Sequence, residues 1–269
     1  MAKASISRAW DETRAVMSRD GKAMVAVALA LFVLPGLVAN LFIPRPTGGV
    51  MPAPGLWLVP VGIVLVISLV GQLAIIRIAS GTGNTVGDAI AHAAKHAPAY
   101  VAATIIWMLP FALLVLFVNA NASEGQQPTV GLAVFVLVAA LILLFGGLFL
   151  FVRMMMLSPV ASNETGGPIA LIRRSWQLTR GNWWRLFGFF LLFAIAAAVV
   201  LIFSNIVAGI FARILGGAED PFTVGALLVS LVTQLASSAV SLVFFAMIAR
   251  IYVQLSSGGS SVSVPSTAD

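Results

Sequence analysis

Three arginines stand where an apolar helix does not ordinarily carry charge: Ile75-Ile76-Arg77-Ile78, Phe151-Val152-Arg153-Met154 and Ile248-Ala249-Arg250-Ile251. A guanidinium is planar, permanently charged and rich in N–H donors, so three brought together would form a basin for a phosphate or carboxylate. Alternatively, each long side chain snorkels separately toward lipid headgroups. A second basic group, Arg173, Arg174, Arg180 and Arg185, is interleaved with Trp176, Trp183 and Trp184, and Trp10 occupies a similar setting near the N-terminus. Indoles favour the headgroup level and arginines favour anionic headgroups, so the arginines are candidate lipid or anion ligands and the tryptophans candidate interfacial anchors.

The remaining constellations are weaker. Asp88, His92 and His96 recur every four residues, which puts them on one helix face. A closed zinc site needs about four ligands and a catalytic one three. With Lys95 beside them and no cysteine in the chain, the trio reads as a solvated face, and neither a metal nor a cofactor is expected. Ser230, Gln234, Ser237, Ser238 and Ser241 form one polar stripe on an apolar segment, with Ser204 and Asn205 as candidate partners. Such a stripe serves close helix packing or a hydrated pathway. There is no Walker A sequence, no dinucleotide fingerprint and no base set beside a nucleophile, so no enzyme is expected. Proton-coupled transport loses support because no Asp, Glu, His or Lys falls in the middle of an apolar run.

These residues are carried by membrane-spanning segments. Hydrophobic residues make up 60% of the 269, and charged residues only 9%, against roughly 25% in a soluble domain. That balance excludes a soluble fold. Six runs reach the roughly 20 residues a helix needs to cross a bilayer: Ala23 to Ile43, Leu56 to Ala79, Ala99 to Val118, Val130 to Val152, Trp183 to Ile206 and Val224 to Val253. The first lies behind an amphipathic segment and reads as a retained span.

Thirteen of the fifteen Lys and Arg residues fall on one side of these spans, leaving Arg45 and Arg213 on the other with Glu124, Glu219 and Asp220. The positive-inside rule makes the first side cytoplasmic, so both termini face the cytoplasm of a bacterial inner-membrane protein. The net charge of +6 is thereby accounted for without nucleic acid. A single membrane domain covers 1–255, and the Ser-rich stretch 256–269 reads as a disordered cytoplasmic tail.

An internal repeat organises the spans. Arg8, Trp10, Thr13 and Arg14 of RAWDETR match Arg174, Trp176, Thr179 and Arg180 of RSWQLTR, and a weaker copy aligns Gly87, Ile90, Ala93 and Ala97 with Gly166, Ile169, Ile172 and Trp176. Each copy is amphipathic and precedes a pair of spans whose second member ends in one of the three lone arginines. The expected fold is therefore all-α: three helical hairpins, at about 4–79, 85–154 and 166–254, each led by an interfacial helix. Two spans per unit keep successive copies in the same orientation, so a pseudo-threefold axis along the membrane normal follows.

The stretch GGPIALIRRSWQLTRGNWWRLFG, Gly166 to Gly188, preceded by Pro159 and Glu164, resembles the signature of the membrane domain attached to some bacterial glycerophosphoryl diester phosphodiesterases and of its stand-alone relatives of unknown function. In that family the phosphodiesterase chemistry belongs to a separate soluble barrel. The resemblance implies a membrane module and not the enzyme. The expected activity is non-enzymatic organisation of anionic lipid or of a membrane-protein partner through a basic cytoplasmic belt. The rival reading is a transporter or channel for a small neutral or anionic solute.

Overall fold

Short polar signals start the helices of the computed structural model, which describes residues 5–42, 55–83, 85–121, 130–215 and 223–257. Ser5 accepts from the Arg8 amide, Thr85 from the Asp88 amide and Thr223 from the Ala226 amide, each supplying an acceptor to an N–H that has none within its own helix. The helices are α1 (Ile6–Ala28), α2 (Leu34–Phe42), α3 (Leu58–Ser80), α4 (Val86–Asn121), α5 (Val130–Leu141), α6 (Gly147–Met154), α7 (Leu157–Asn163), α8 (Pro168–Thr179), α9 (Trp183–Ile214) and α10 (Val224–Ser257). No strand occurs among the described residues. Six helical stretches are long and apolar enough to cross a membrane. The tail from residue 258 on lies outside the described residues, as do Lys3, Arg45, Glu124, Glu219 and Asp220.

The leading amphipathic segments differ from expectation. Only the third is a helix of its own, α8, because Gly181 adopts φ 82° and turns the chain between α8 and α9. The first runs unbroken into its span through α1, and the second through α4, which contains Pro98 and Pro110. No left-handed residue interrupts either one. Their inner faces pack on protein: Ala9, Thr13 and Val16 are buried on α1, Ala89, Ala93 and Ala97 on α4, and Leu171, Ser175, Leu178 and Thr179 on α8.

The spans pack on one another along the bundle. The second span of the first hairpin, α3, packs on α4; α6 packs on α9; and α10 packs back on α1 and α3. Tight packing is concentrated at one end. On α3 the buried residues run from Gly71 to Ala79, and on α10 most lie between Ser238 and Leu255. Toward the other end Ile63, Leu65, Ile105, Leu113, Leu137 and Phe203 are exposed, as suits side chains that meet acyl tails. The short helix α7 plugs the packed end, with Leu157 to Ser162 all buried against α3, α4, α8 and α10.

A π-helical turn at Leu29–Val33 sits just before Pro35, which has no N–H to continue the ladder. Gln234 of α10 donates to the Phe32 carbonyl at 3.4 Å across this site. A methyl on Gly36 would fall on the Gln234 amide. Gly36→Leu is therefore expected to destabilise the bundle by about 1–3 kcal/mol through overpacking. Gly62→Leu, where an added Cβ meets nothing within 4 Å, should leave the thermal midpoint in detergent unchanged or slightly raised.

Candidate functional site

The basic residues gather at the packed end. Ser5 donates from its backbone to Gln254 at 3.1 Å, Arg250 pairs with Glu12 at 3.0 Å, and Tyr252 donates to Glu164 at 2.9 Å. Arg174 Nε reaches both oxygens of the same Glu164 at 2.9 and 3.0 Å. These links join the start of α1, the end of α10, the segment after α7 and the middle of α8 at one end of the bundle.

The three lone arginines do not share one ligand here; each is received by a different element. Arg77 donates from Nη1 to the Ser162 carbonyl at 2.9 Å, where Asn163 also bonds Ser80 and Thr82. Arg250 binds Glu12 and approaches the Ala79 carbonyl at 3.5 Å. Arg153 lies over Trp176, with its Cζ 4.8 Å from the ring centroid, and over Phe149 at 5.3 Å. Each arginine falls near the packed end of its span, where other parts of the chain supply its partner: Ser162 of α7 for Arg77, Glu12 of α1 for Arg250 and Trp176 of α8 for Arg153.

The α8 surface is built with care for its hydrogen bonds. Arg153 lies in the last turn of α6, where carbonyls have no helical partner. Ser175 supplies one, donating to the Arg153 carbonyl at 2.8 Å, and the Trp183 indole donates to the Phe149 carbonyl at 3.3 Å. Trp183 also stacks on Phe187 at 5.2 Å and on Phe149 at 5.7 Å, and it meets Trp184 edge-on at 4.7 Å. Trp184 itself is 76% exposed and Ile169 68%, beside exposed Arg173, Arg180 and Arg185. Trp10 and Trp176 are about half as exposed as Trp184 or somewhat more, at 47% and 38%. Among the described residues, Arg173 and Arg180 have no carboxylate within pairing distance, whereas Arg174 is bound to Glu164 and Arg8 to Glu12.

The other candidates take up structural positions. Asp88 accepts from Thr85 Oγ1 at 2.7 Å in a cap at the start of α4. His96 Nδ1 lies 2.9 Å from the His92 carbonyl, and the two rings stack at 4.0 Å. No group of three metal-ligating residues occurs among the described residues. Of the polar stripe, Ser238 is buried, Gln234 bonds the first span, and Ser230, Ser237 and Ser241 are half-buried. Asn205 accepts from Thr233 at 3.3 Å, and Ser204 bonds its own helix.

Two features were not read from the sequence as functional. Glu164, noted only within a motif, joins α8 to α10. The stretch LSPVASN, between the fourth and fifth apolar runs, is buried from Leu157 to Ser162. The small side chains Ser158, Ala161 and Ser162 were the available signal, since a solvent-facing connector has no need of them.

Six apolar helices and a cationic, indole-rimmed end define a multi-pass helical membrane protein. The chain belongs to the family described as domain of unknown function DUF7847, whose model matches residues 5–255. No curated protein and no solved structure matches it.

Proposed function

We propose that this protein is a non-enzymatic component of the bacterial inner membrane that organises anionic lipid, or a membrane partner, at its basic cytoplasmic end. The observation that carries this reading is the surface around α8, where exposed Arg173, Arg180 and Arg185 alternate with exposed Ile169, Trp176 and Trp184. Cationic groups and indoles at one level match the two layers of a lipid interface, phosphate and carbonyl above and acyl chain below. The resemblance of Gly166 to Gly188 to the phosphodiesterase-linked membrane domain agrees with a role as a membrane module.

A threefold plan of hairpins supports the same reading. Packing of α3 on α4, of α6 on α9 and of α10 on α1 is compatible with that plan, although α6 meets α9 far less extensively than α3 meets α4. Thr13 and Thr179, equivalent in the sequence match, are both buried, at 1% and 0%. The middle copy fits less well, since Ala97 is buried where its aligned Trp176 is exposed. In the positive-inside orientation all three basic ends face the cytoplasm, giving a belt and not a single patch.

The test uses the whole protein reconstituted in bilayers, with quenching of its tryptophans by brominated phosphatidylglycerol compared with brominated phosphatidylcholine. Wild-type protein should favour the anionic lipid. The double variant Arg173→Gln, Arg185→Gln should lose about thirtyfold of that preference, at about 1 kcal/mol per charge near the surface. Salt should narrow the difference between the two proteins. Equal quenching by both lipids in the wild type would remove the reading.

A further inference from the structure

We infer that Arg153 and Arg180, walled by Phe149 and Trp176, form a discrete site for the phosphodiester of an anionic phospholipid. The inference rests on the lipid-organising reading above and adds to it a particular pair of arginines and a ligand chemistry.

Arg153 differs from the other inner arginines. Arg77, Arg174 and Arg250 each have an oxygen acceptor on the protein, at 2.9, 2.9 and 3.0 Å. Arg77 leaves Nε alone buried without an acceptor, whereas Arg153 leaves both Nε and Nη1 so among the described residues. Leaving charged donors buried and unmatched is costly, so a site of this kind is completed by an anion. Thr179 brings its hydroxyl to 3.5 Å from the Arg153 carbonyl, so the next residue, Arg180, sets a second cation close by. Two cations beside one another with no carboxylate between them attract an anion that offers more than one oxygen.

The surroundings select the form of that anion. The guanidinium lies over Trp176 and Phe149, whose ring faces hold its plane but offer its N–H groups no oxygen. Carbonyls in the final turn of α6 would repel a negative group. The Arg153 carbonyl there instead accepts from Ser175, and one turn earlier the Phe149 carbonyl accepts from the Trp183 indole. The rim beyond is apolar and outward-facing, with Trp184 and Ile169 largely exposed. A phosphate tethered to acyl chains satisfies both parts, with oxygens on the arginines and chains along the indoles. Free phosphate satisfies only the first part.

Trp176 covers the Arg153 guanidinium and is itself 38% exposed, so binding there changes its environment and its fluorescence. Whole protein in neutral detergent is titrated with dihexanoyl phosphatidylglycerol, dihexanoyl phosphatidylcholine or inorganic phosphate. Phosphatidylglycerol should give a saturable change that Trp176→Phe removes, while the other two give little. Arg180→Gln, at an exposed position, should weaken the response about fivefold. Arg153→Lys keeps the charge but loses the planar fork, and should weaken it about tenfold or more.

Unaltered phosphatidylglycerol affinity in Arg180→Gln overturns the site, and because that residue is exposed the result does not depend on how Arg153→Lys folds. Equal affinity for inorganic phosphate overturns the lipid assignment. Should the brominated-lipid preference persist while both variants respond like wild type, only this site is lost. Should that preference be absent from wild type, the broader reading falls as well.

Discussion

Glu164→Ala is expected to lower the unfolding free energy by about 2–3 kcal/mol, from two contributions of different size. Tyr252 is 6% exposed, and its hydroxyl donates to Glu164 at 2.9 Å. Removing the acceptor leaves that buried donor unmatched, at a cost of about 1–3 kcal/mol. Arg174 keeps 39% of its side chain exposed, so it can turn to water or headgroups and contributes about 0–1 kcal/mol. Thermal unfolding in detergent should therefore rank the variants. Glu164→Ala falls furthest, Glu164→Gln less because an amide oxygen still accepts from Tyr252, and Arg174→Gln least. If Arg174→Gln proves as damaging as Glu164→Ala, the carboxylate acts through its charge, and the hydroxyl account is wrong. The location of this network gives it weight. It ties α8, which carries the exposed arginines and indoles, to the end of α10, so a loosened Glu164 also loosens the proposed lipid surface.

A larger loss is expected from Ile76→Ala, about 3–4 kcal/mol, because Ile76 is completely buried on α3 at the packed end. The alanine leaves a cavity in a helix that packs on α4, α7 and α10, and those elements cannot all collapse into it. Leu65→Ala on the same helix is the contrast. Leu65 is 59% exposed, and in a bilayer its neighbours are acyl tails that refill the space, so the change should stay within about 1 kcal/mol. Denaturation in mixed micelles compares the two directly. Similar losses at both positions would show that the open half of the bundle is covered in the native membrane by protein, such as a second copy of this chain.

Much of the architecture was legible because it depends on composition and length. Six long apolar runs dictate six helices, since a backbone in hydrocarbon must satisfy its own hydrogen bonds. The match of Trp10 and Thr13 with Trp176 and Thr179 pointed to equivalent segments; both threonines are buried, but Thr13 Oγ1 has no hydrogen-bond partner among the described residues while Thr179 reaches the Ser175 carbonyl at 3.0 Å. The amphipathic faces were visible too, but not what they cover. An apolar stripe is equally suited to lipid and to a neighbouring helix, and here Ala9, Ala93 and Leu171 meet protein while Ile169 and Trp184 do not.

The arginines show where such reading stops. Their repetition at Arg77, Arg153 and Arg250 suggested one shared role, yet one meets a carbonyl, one two aromatic rings and one a carboxylate. Nothing in the local pattern Ile-Arg-Ile or Val-Arg-Met distinguishes these fates. Spans, their number and the sidedness of charge follow from hydropathy and the distribution of Lys and Arg, which are properties of short stretches taken one at a time. Which cation is neutralised inside the protein and which still lacks a counter-charge depends on residues 10 to 238 positions away along the chain, such as Glu164 for Arg174 and Glu12 for Arg250, and only folding brings those together.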